Sequence, residues 1–169
     1  MKIILHRNAG SRHGWHLGCV ELRSPTKVYA PETRGFRTET GIEGSEILLM
    51  AKVLVVEDHT DIRKMMAIYL RMFKYEVIEA ADGYEAVEKA LEHRPDAILM
   101  DLAMPVLDGV DSARAMRQSD ELAETPIVCI TAYMDFYKQR AKDAGCNDVL
   151  QKPIDFGQLD SLLKKHITA

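Results

Sequence analysis

The chain of 169 residues is 47% hydrophobic and 28% charged, which is ordinary for one globular domain with an appended segment. Its net charge of −4 argues against a polybasic surface, so we expect no nucleic-acid partner. No apolar run approaches the roughly 18 residues of a membrane helix, and the apolar run at the amino end is too short for a signal peptide. The lack of such segments predicts no membrane attachment, and three cysteines without CxxC spacing, Cys19, Cys129 and Cys146, favour a reduced, cytoplasmic protein.

The first 49 residues differ from the rest in charge and glycine content. They carry a charge of +2 and six of the ten glycines, whereas residues 50–169 carry −6. Because no helical or strand period persists there, we predict that residues 1–50 are an N-terminal extension, largely irregular, and either dispensable for the fold or not native to it. Four residues suggest a metal site, but their spacing matches no known ligand pattern, and we favour a solvated chain: His6, His13, His16 and Cys19.

From Lys52 onward, short apolar runs alternate with amphipathic stretches. Strands are predicted at 53–56, 75–79, 97–100, 126–130 and 148–151. Helices are predicted from Thr60 as a cap to about 73, from 83 to just before Pro95, and at 109–117, 134–144 and 155–166. The first helix presents one apolar face, and its residues are predicted to be inward: Ile62, Met65, Met66, Tyr69, Leu70 and Phe73.

Five strands alternating with five helices predict an α/β fold with a five-stranded parallel sheet and helices on both faces. Right-handed crossovers favour the flavodoxin-like strand order 2-1-3-4-5. In such a sheet, ligands bind beyond the carboxyl ends of the strands, so the residues that end the strands are the candidate site.

Charged and polar residues end four of these strands: Glu57 and Asp58, then Asp101, Thr131 and Lys152. Taken singly, each is more typical of a helix cap or a surface residue, but all are predicted at one sheet edge. Three clustered acids repel one another unless a cation lies among them, and hard oxygen ligands suit Mg²⁺. A lysine and a hydroxyl beside that cation could hold phosphoryl oxygens, while a carboxylate could attack phosphorus.

The motifs around these residues resemble the receiver domain of bacterial response regulators, the CheY-like family. The resemblance covers about residues 51–168, so we expect a receiver domain over 51–169. It depends on VVED at 55–58, LMDLAMP at 99–105, DG at 108–109, ITA at 130–132, Gly145 and KP at 152–153.

The resemblance implies that Asp101 is the phosphoacceptor and receives a phosphoryl group from a sensor histidine kinase or a histidine phosphotransfer protein. It implies a Mg²⁺ ion whose ligands are Glu57, Asp58, Asp101 and the backbone carbonyl of Ala103. Thr131 and Lys152 would contact the phosphoryl oxygens, and the Lys152–Pro153 peptide would be cis. Such a protein is not an enzyme for external substrates, because it promotes only its own phosphorylation and dephosphorylation.

Phosphorylation would shift the receiver surface and so control a partner protein. The chain ends three residues after the last predicted helix, so we expect a stand-alone receiver with a downstream protein target that the sequence does not name. Candidate docking residues are Phe136, Gln139, Val149 and Gln151. The alternative is a docking module that works without phosphate. A phosphatase of the DxDx[TV] type is disfavoured, because Ala103 stands where the second acid would be.

Three residues depart from or qualify the family pattern. Val149 occupies the position, three before the lysine, that is commonly aromatic in the family, which weakens the usual coupling of threonine movement to a ring. Tyr133 is bulky enough to obstruct an attacking water and Ala103 cannot orient one, so we predict slow hydrolysis of the phosphorylated state.

The two cysteines of the predicted domain lie outside this pattern. Cys129 is predicted to be a buried apolar residue, and nothing adjacent to Cys146 in sequence would depress the pKa of its thiol.

Overall fold

The structure, a computed structural model, describes residues 2–7, 15–20 and 50–167. The chain divides into two units, Met1–Ser45 and Glu46–Ala169. No helix in the described residues is both long and apolar enough to cross a membrane.

The first unit contains a pair of strands that was not predicted from the sequence. Strand β1 (Lys2–Arg7) pairs antiparallel with β2 (Trp15–Val20), so Lys2 lies opposite Val20 and Arg7 opposite Trp15. Gly18 interrupts the apolar pattern of β2, and a two-stranded sheet imposes little alternation on six residues. The side chains considered as metal ligands (His6, His13, His16 and Cys19) lie outside the described part of the chain. That the extension is dispensable stays a prediction.

The second unit contains a five-stranded parallel sheet with the order β4-β3-β5-β6-β7. Its strands are β3 (Lys52–Val56), β4 (Glu76–Ala80), β5 (Ala97–Asp101), β6 (Ile127–Thr131) and β7 (Asp148–Gln151). Counted within this sheet, the order is 2-1-3-4-5, so the predicted flavodoxin-like fold is confirmed. The strands predicted at 75–79 and 126–130 begin one residue too early.

Five helices connect and follow these strands: α1 (Thr60–Met72), α2 (Gly83–His93), α3 (Gly109–Arg117), α4 (Met134–Asp143) and α5 (Phe156–Ile167). Two predictions for α1 are wrong. Thr60 is the first helical residue, and His59 at the N-cap makes no side-chain capping bond. Met65 is 48% exposed and Phe73 38%, because the buried face of α1 is centred on Met66, Ala67 and Leu70 and does not include the whole apolar stripe.

Each face of the sheet has its own apolar core. Alternate residues of β3 point to opposite sides: Leu54 and Val56 pack with α2, α3 and α4 residues, while Val53 and Val55 pack with residues of α1 and α5. Strands β5 and β6 are buried along their whole length, as expected of parallel strands covered on both faces. This packing fixes the carboxyl ends of β3, β5 and β6 at one rigid edge.

Candidate functional site

The sheet brings all of the predicted strand-end side chains to one edge. Glu57 directly follows β3, Asp101 and Thr131 are the last residues of β5 and β6, and Lys152 directly follows β7. Because these parallel strands end at the same edge of one sheet, residues up to 95 positions apart in the chain make direct contact here.

Three carboxylates form the acidic centre of this site. Glu57, Asp58 and Asp101 each offer an oxygen that lies within 4.8 Å of the others. Glu57 is 1% exposed and Asp101 4%, whereas Asp58 is exposed. The cluster therefore has two anchored, desolvated carboxylates and a third at the mouth of the site, open to solvent.

One ammonium group serves both buried carboxylates. Lys152 Nζ donates to Asp101 Oδ2 at 2.7 Å and to Glu57 Oε2 at 2.9 Å. Its backbone N–H also donates to the carbonyl of Thr131 at 2.8 Å, which holds the residue against the end of β6. The Lys152–Pro153 peptide is cis, as the family resemblance implied.

Burial and charge act in opposite directions on these groups. The pKa of Glu57 is raised above its usual 4.5, chiefly because burial penalises the charged form, and the negative charge of Asp101 adds to this effect while Lys152 opposes it. Burial alone would lower the pKa of Lys152. Its hydrogen bonds with Asp101 and Glu57 outweigh that effect, so the pKa of Lys152 is raised and the ammonium stays charged.

Backbone groups orient the side chains of the site. Ala103 N–H donates to Asp101 Oδ1 at 3.0 Å, and Tyr133 N–H donates to Thr131 Oγ1 at 3.0 Å. The loop after Asp101 also depends on a glycine, because a Cβ on Gly109 would overlap the Asp101 carbonyl oxygen. The carboxylate of Asp101 therefore has both of its oxygens held, one by the backbone and the other by Lys152.

The donor set fits a hard divalent cation. Three carboxylates face one ammonium, so the cluster retains a net negative charge that a cation would neutralise. Oxygen ligands with an open, solvent-facing side suit Mg²⁺, which keeps several of its waters and takes an anionic oxygen from phosphate.

Sequence reasoning missed two arginines that support the site. Arg63 Nη1 donates to the carbonyl oxygens of Glu57 at 2.6 Å and Asp58 at 3.4 Å, so α1 holds the backbone of the acidic doublet. Arg140 forms an ion pair of 3.6 Å with Asp108, which caps α3 through its side chain. Neither contact has a local sequence signal, because each depends on how a helix packs beside a loop.

The residues that flank the site differ in exposure. Tyr133 is 64% exposed and Phe136 62%, and Gln139 and Gln151 also lie at the surface. Val149 is half-buried and packs against the core that α4 covers. Of the four candidate docking residues, Val149 therefore presents least of its side chain to a partner.

The chain matches known proteins over the second unit. The family model described as "Response regulator receiver domain" matches residues 53–164. The polar-differentiation response regulator DivK of Brucella anthropi is 32% identical over 116 residues, which are 68% of this chain and 94% of DivK.

Solved structures show the same likeness. The chemotaxis protein CheY4 of Vibrio cholerae matches with a TM-score of 0.66 and 38% identity, over 69% of this chain and 98% of CheY4. The receiver domain of sensor histidine kinase PA1611 from Pseudomonas aeruginosa, with a magnesium ion coordinated in its active-site cleft, matches with a TM-score of 0.67 and 35% identity, over 71% of this chain and 99% of that one.

The fold and the acidic edge define a receiver module of two-component signalling. The chain belongs to the response regulator receiver domain family. Its role is that of a phosphoacceptor in signal transduction, and proteins of this kind are signalling components, not classical enzymes.

Proposed function

We propose that Asp101 is the residue that accepts the phosphoryl group. An Asp101 carboxylate oxygen attacks phosphorus, the phosphorus–nitrogen bond of a phosphohistidine breaks, and the histidine leaves with the bonding electrons. The observation that carries this assignment is the position of Asp101 in the centre of the site. Its carboxylate contacts Lys152 and adjoins the other two acids, and the Ala103 N–H fixes its orientation.

The same cluster is the proposed Mg²⁺ site. Glu57, Asp58 and Asp101 would hold the ion together with the backbone carbonyl of Ala103, and bound Mg²⁺ would neutralise charge on the phosphoryl oxygens. The donor chemistry of the three acids and the magnesium ion in the similar receiver domain of PA1611 support this assignment.

Lys152 and Thr131 are the proposed phosphoryl contacts. Lys152 already lies 2.7 Å from Asp101 Oδ2, so the ammonium is within reach of an oxygen on a group attached there. The Thr131 hydroxyl accepts a bond from the Tyr133 N–H and can donate its own proton to a phosphoryl oxygen. Such a bond would draw the loop at Tyr133 towards the site and shift the population of surface conformations.

The proposed phosphodonor is a sensor histidine kinase or a histidine phosphotransfer protein, and the proposed output is the control of a downstream protein through the altered surface. The chain would promote only its own phosphorylation and dephosphorylation. We place it in the cytoplasm, where the free thiols of Cys129 and Cys146 stay reduced under ordinary conditions.

Phosphorylation by a small donor tests this function. The full chain is incubated with acetyl phosphate, with Mg²⁺ or with a chelator, and its mass is measured. We expect one added phosphoryl group only with Mg²⁺, in the parent chain and in Asp120→Asn, a variant of an exposed aspartate. Asp101→Asn should gain none. A folded parent chain that stays unmodified with Mg²⁺ would favour a docking module that works without phosphate.

A further inference from the structure

Two cysteines outside the acidic site lie side by side. Cys129 is in the middle of β6 and is 0% exposed, while Cys146 is in the turn after α4 and is partly exposed. Their Sγ atoms are 2.6 Å apart, so the two free thiols are in direct contact and a small approach would bring them to the S–S bond length of about 2.05 Å. Nothing in the proposed phosphotransfer chemistry uses this pair.

Hydrogen bonds hold the turn that carries Cys146 against the strand that carries Cys129. Asn147 N–H donates to the Ile127 carbonyl at 2.8 Å, and Asn147 Oδ1 accepts from the Ile127 N–H at 2.8 Å. The N–H of Cys146 donates to the Ala141 carbonyl at 3.0 Å, which attaches the turn to the last turns of α4. The turn that carries Cys146 is therefore fixed against β6, and the sulfur atoms meet without any rearrangement of the chain.

An arginine makes the environment of the pair electropositive. Arg117 Nε donates to the Gly145 carbonyl at 3.1 Å and Arg117 Nη2 to Asn147 Oδ1 at 3.1 Å. The hydrogen bond from the Cys129 thiol and the charge of Arg117 lower the pKa of Cys146 despite its burial. That bond and burial raise the pKa of Cys129. The residues adjacent to Cys146 in sequence gave no sign of this lowered pKa, because Arg117 and Cys129, which cause it, are distant in sequence.

We propose that Cys129 and Cys146 are a redox modification site and form an intramolecular disulfide with hydroperoxides. The Cys146 thiolate attacks a peroxide oxygen, the O–O bond breaks, and Cys146 becomes a sulfenic acid while the leaving oxygen takes a proton as water or an alcohol. The Cys129 sulfur then attacks the Cys146 sulfur, the S–O bond breaks, and the Cys129 proton leaves with the hydroxyl as water. Two thiols are oxidised by two electrons, and one peroxide is reduced.

The geometry divides the two roles between the cysteines. Cys146 is the partly exposed cysteine and is therefore assigned the attack on peroxide, and the buried Cys129 is the resolving thiol. The disulfide would close a loop that contains Thr131 and the whole of α4 (Met134–Asp143). Oxidation would therefore restrain this segment and raise the thermal midpoint of the domain, since a cross-link removes conformational freedom from the unfolded chain.

Intact mass and peptide mapping test the proposal. The full chain with Cys19→Ser is reduced, exposed to hydrogen peroxide, then denatured and alkylated. We expect a monomer that has lost two hydrogen atoms, resists alkylation and yields a peptide joining residues 129 and 146. A thiol reductant should reverse the change, and the oxidised form should melt at a higher temperature than the reduced form.

Two variants separate the roles and control for folding. Cys146→Ser should stay unmodified, with Cys129 fully alkylated after denaturation. Cys129→Ala should stop at a sulfenic acid on Cys146 that a dimedone-type reagent traps. The proposal is overturned if both thiols of the folded parent alkylate fully after peroxide, if Cys146 proceeds to sulfinic acid without the cross-link, or if the only disulfides join two chains.

Discussion

Lys152 and Asp101, 51 positions apart in the chain, meet in an ion pair in which Nζ lies 2.7 Å from Oδ2. The same ammonium lies 2.9 Å from Glu57, so two buried carboxylates share one positive charge. Lys152 therefore stabilises the resting protein, and in the proposed function the same ammonium would donate to a phosphoryl oxygen.

Replacement of this lysine should expose its structural role. Lys152→Met leaves two desolvated carboxylates without their ammonium, and we expect a loss of about 1–3 kcal/mol in the free energy of unfolding at pH 7. The loss should shrink at acid pH, because protonated carboxyl groups no longer need the cation. Lys164→Met, which alters an ion pair with Asp160 on the surface of α5, should lose less than about 1 kcal/mol. Urea unfolding measures both, and equal losses would contradict the prediction.

Replacement of Glu57 should stabilise the protein, which is the opposite of the effect expected for Lys152. Because the folded pKa of Glu57 is raised above 4.5, the folded state keeps the proton to higher pH than the unfolded chain. Stability therefore falls as pH rises from 4.5 through the folded pKa. We expect Glu57→Gln to melt at a higher temperature than the parent at pH 7 without divalent ions, with the gap closing below pH 4.5, and to bind Mg²⁺ more weakly. Asp58→Asn, at an exposed position, is the control for the melting temperature. A Glu57→Gln variant that is less stable than the parent at pH 7 would refute this.

The close approach of Gly109 to Asp101 predicts a third outcome. Gly109→Ala places a methyl group on a backbone oxygen, so the loop must move. We expect a loss of about 1–3 kcal/mol and much slower phosphorylation by acetyl phosphate. Gly157→Ala, in α5, meets only the Asp155 side chain at 3.3 Å and should be neutral or stabilising. Urea unfolding and the rate of phosphorylation are the measurements. A Gly109→Ala variant with the stability and phosphorylation rate of the parent would argue against a rigid loop.

The phosphorylated state should be long-lived for a receiver. Tyr133 and Ala103 each lie two residues after a residue of the site; the bulky Tyr133 side chain would obstruct an attacking water, and Ala103 has no group that could orient one. We expect the phosphorylated chain to outlast seconds in Mg²⁺ and Tyr133→Ala to release phosphate several-fold faster. Phe136→Ala, another exposed aromatic position, should leave the rate unchanged. Phosphate release after removal of the donor is the measurement, and a parent half-life of a few seconds would contradict the prediction.

Both the sheet and the candidate site could be predicted from the sequence, because both follow from the pattern of buried parallel strands. Parallel strands buried on both faces are continuous apolar runs, and the polar residues that end them must then meet at one edge. Glu57, Asp101 and Lys152 could therefore be brought together without knowledge of any side-chain contact. The cis peptide before Pro153 followed from the family resemblance alone.

What the sequence did not predict depends on packing between distant segments. The contact of Arg63 with the backbone of the acidic doublet requires the position of α1 beside the loop after β3. The pairing of Cys129 with Cys146 requires the register of β6 against the turn after α4. Met65 has the helical spacing of a core residue, but the buried face of α1 is centred on Met66 and Leu70, and Met65 lies beside it.

Reduction with borohydride locates the phosphoryl group directly, because hydride converts an aspartyl phosphate into homoserine and leaves phosphoesters intact. After incubation of the full chain with acetyl phosphate and Mg²⁺, we predict homoserine at position 101 and at no other aspartate, and none in Asp101→Asn. Homoserine at Asp58, or a phosphorylated chain in which position 101 remains aspartate, would contradict the assignment of Asp101 as the phosphoacceptor.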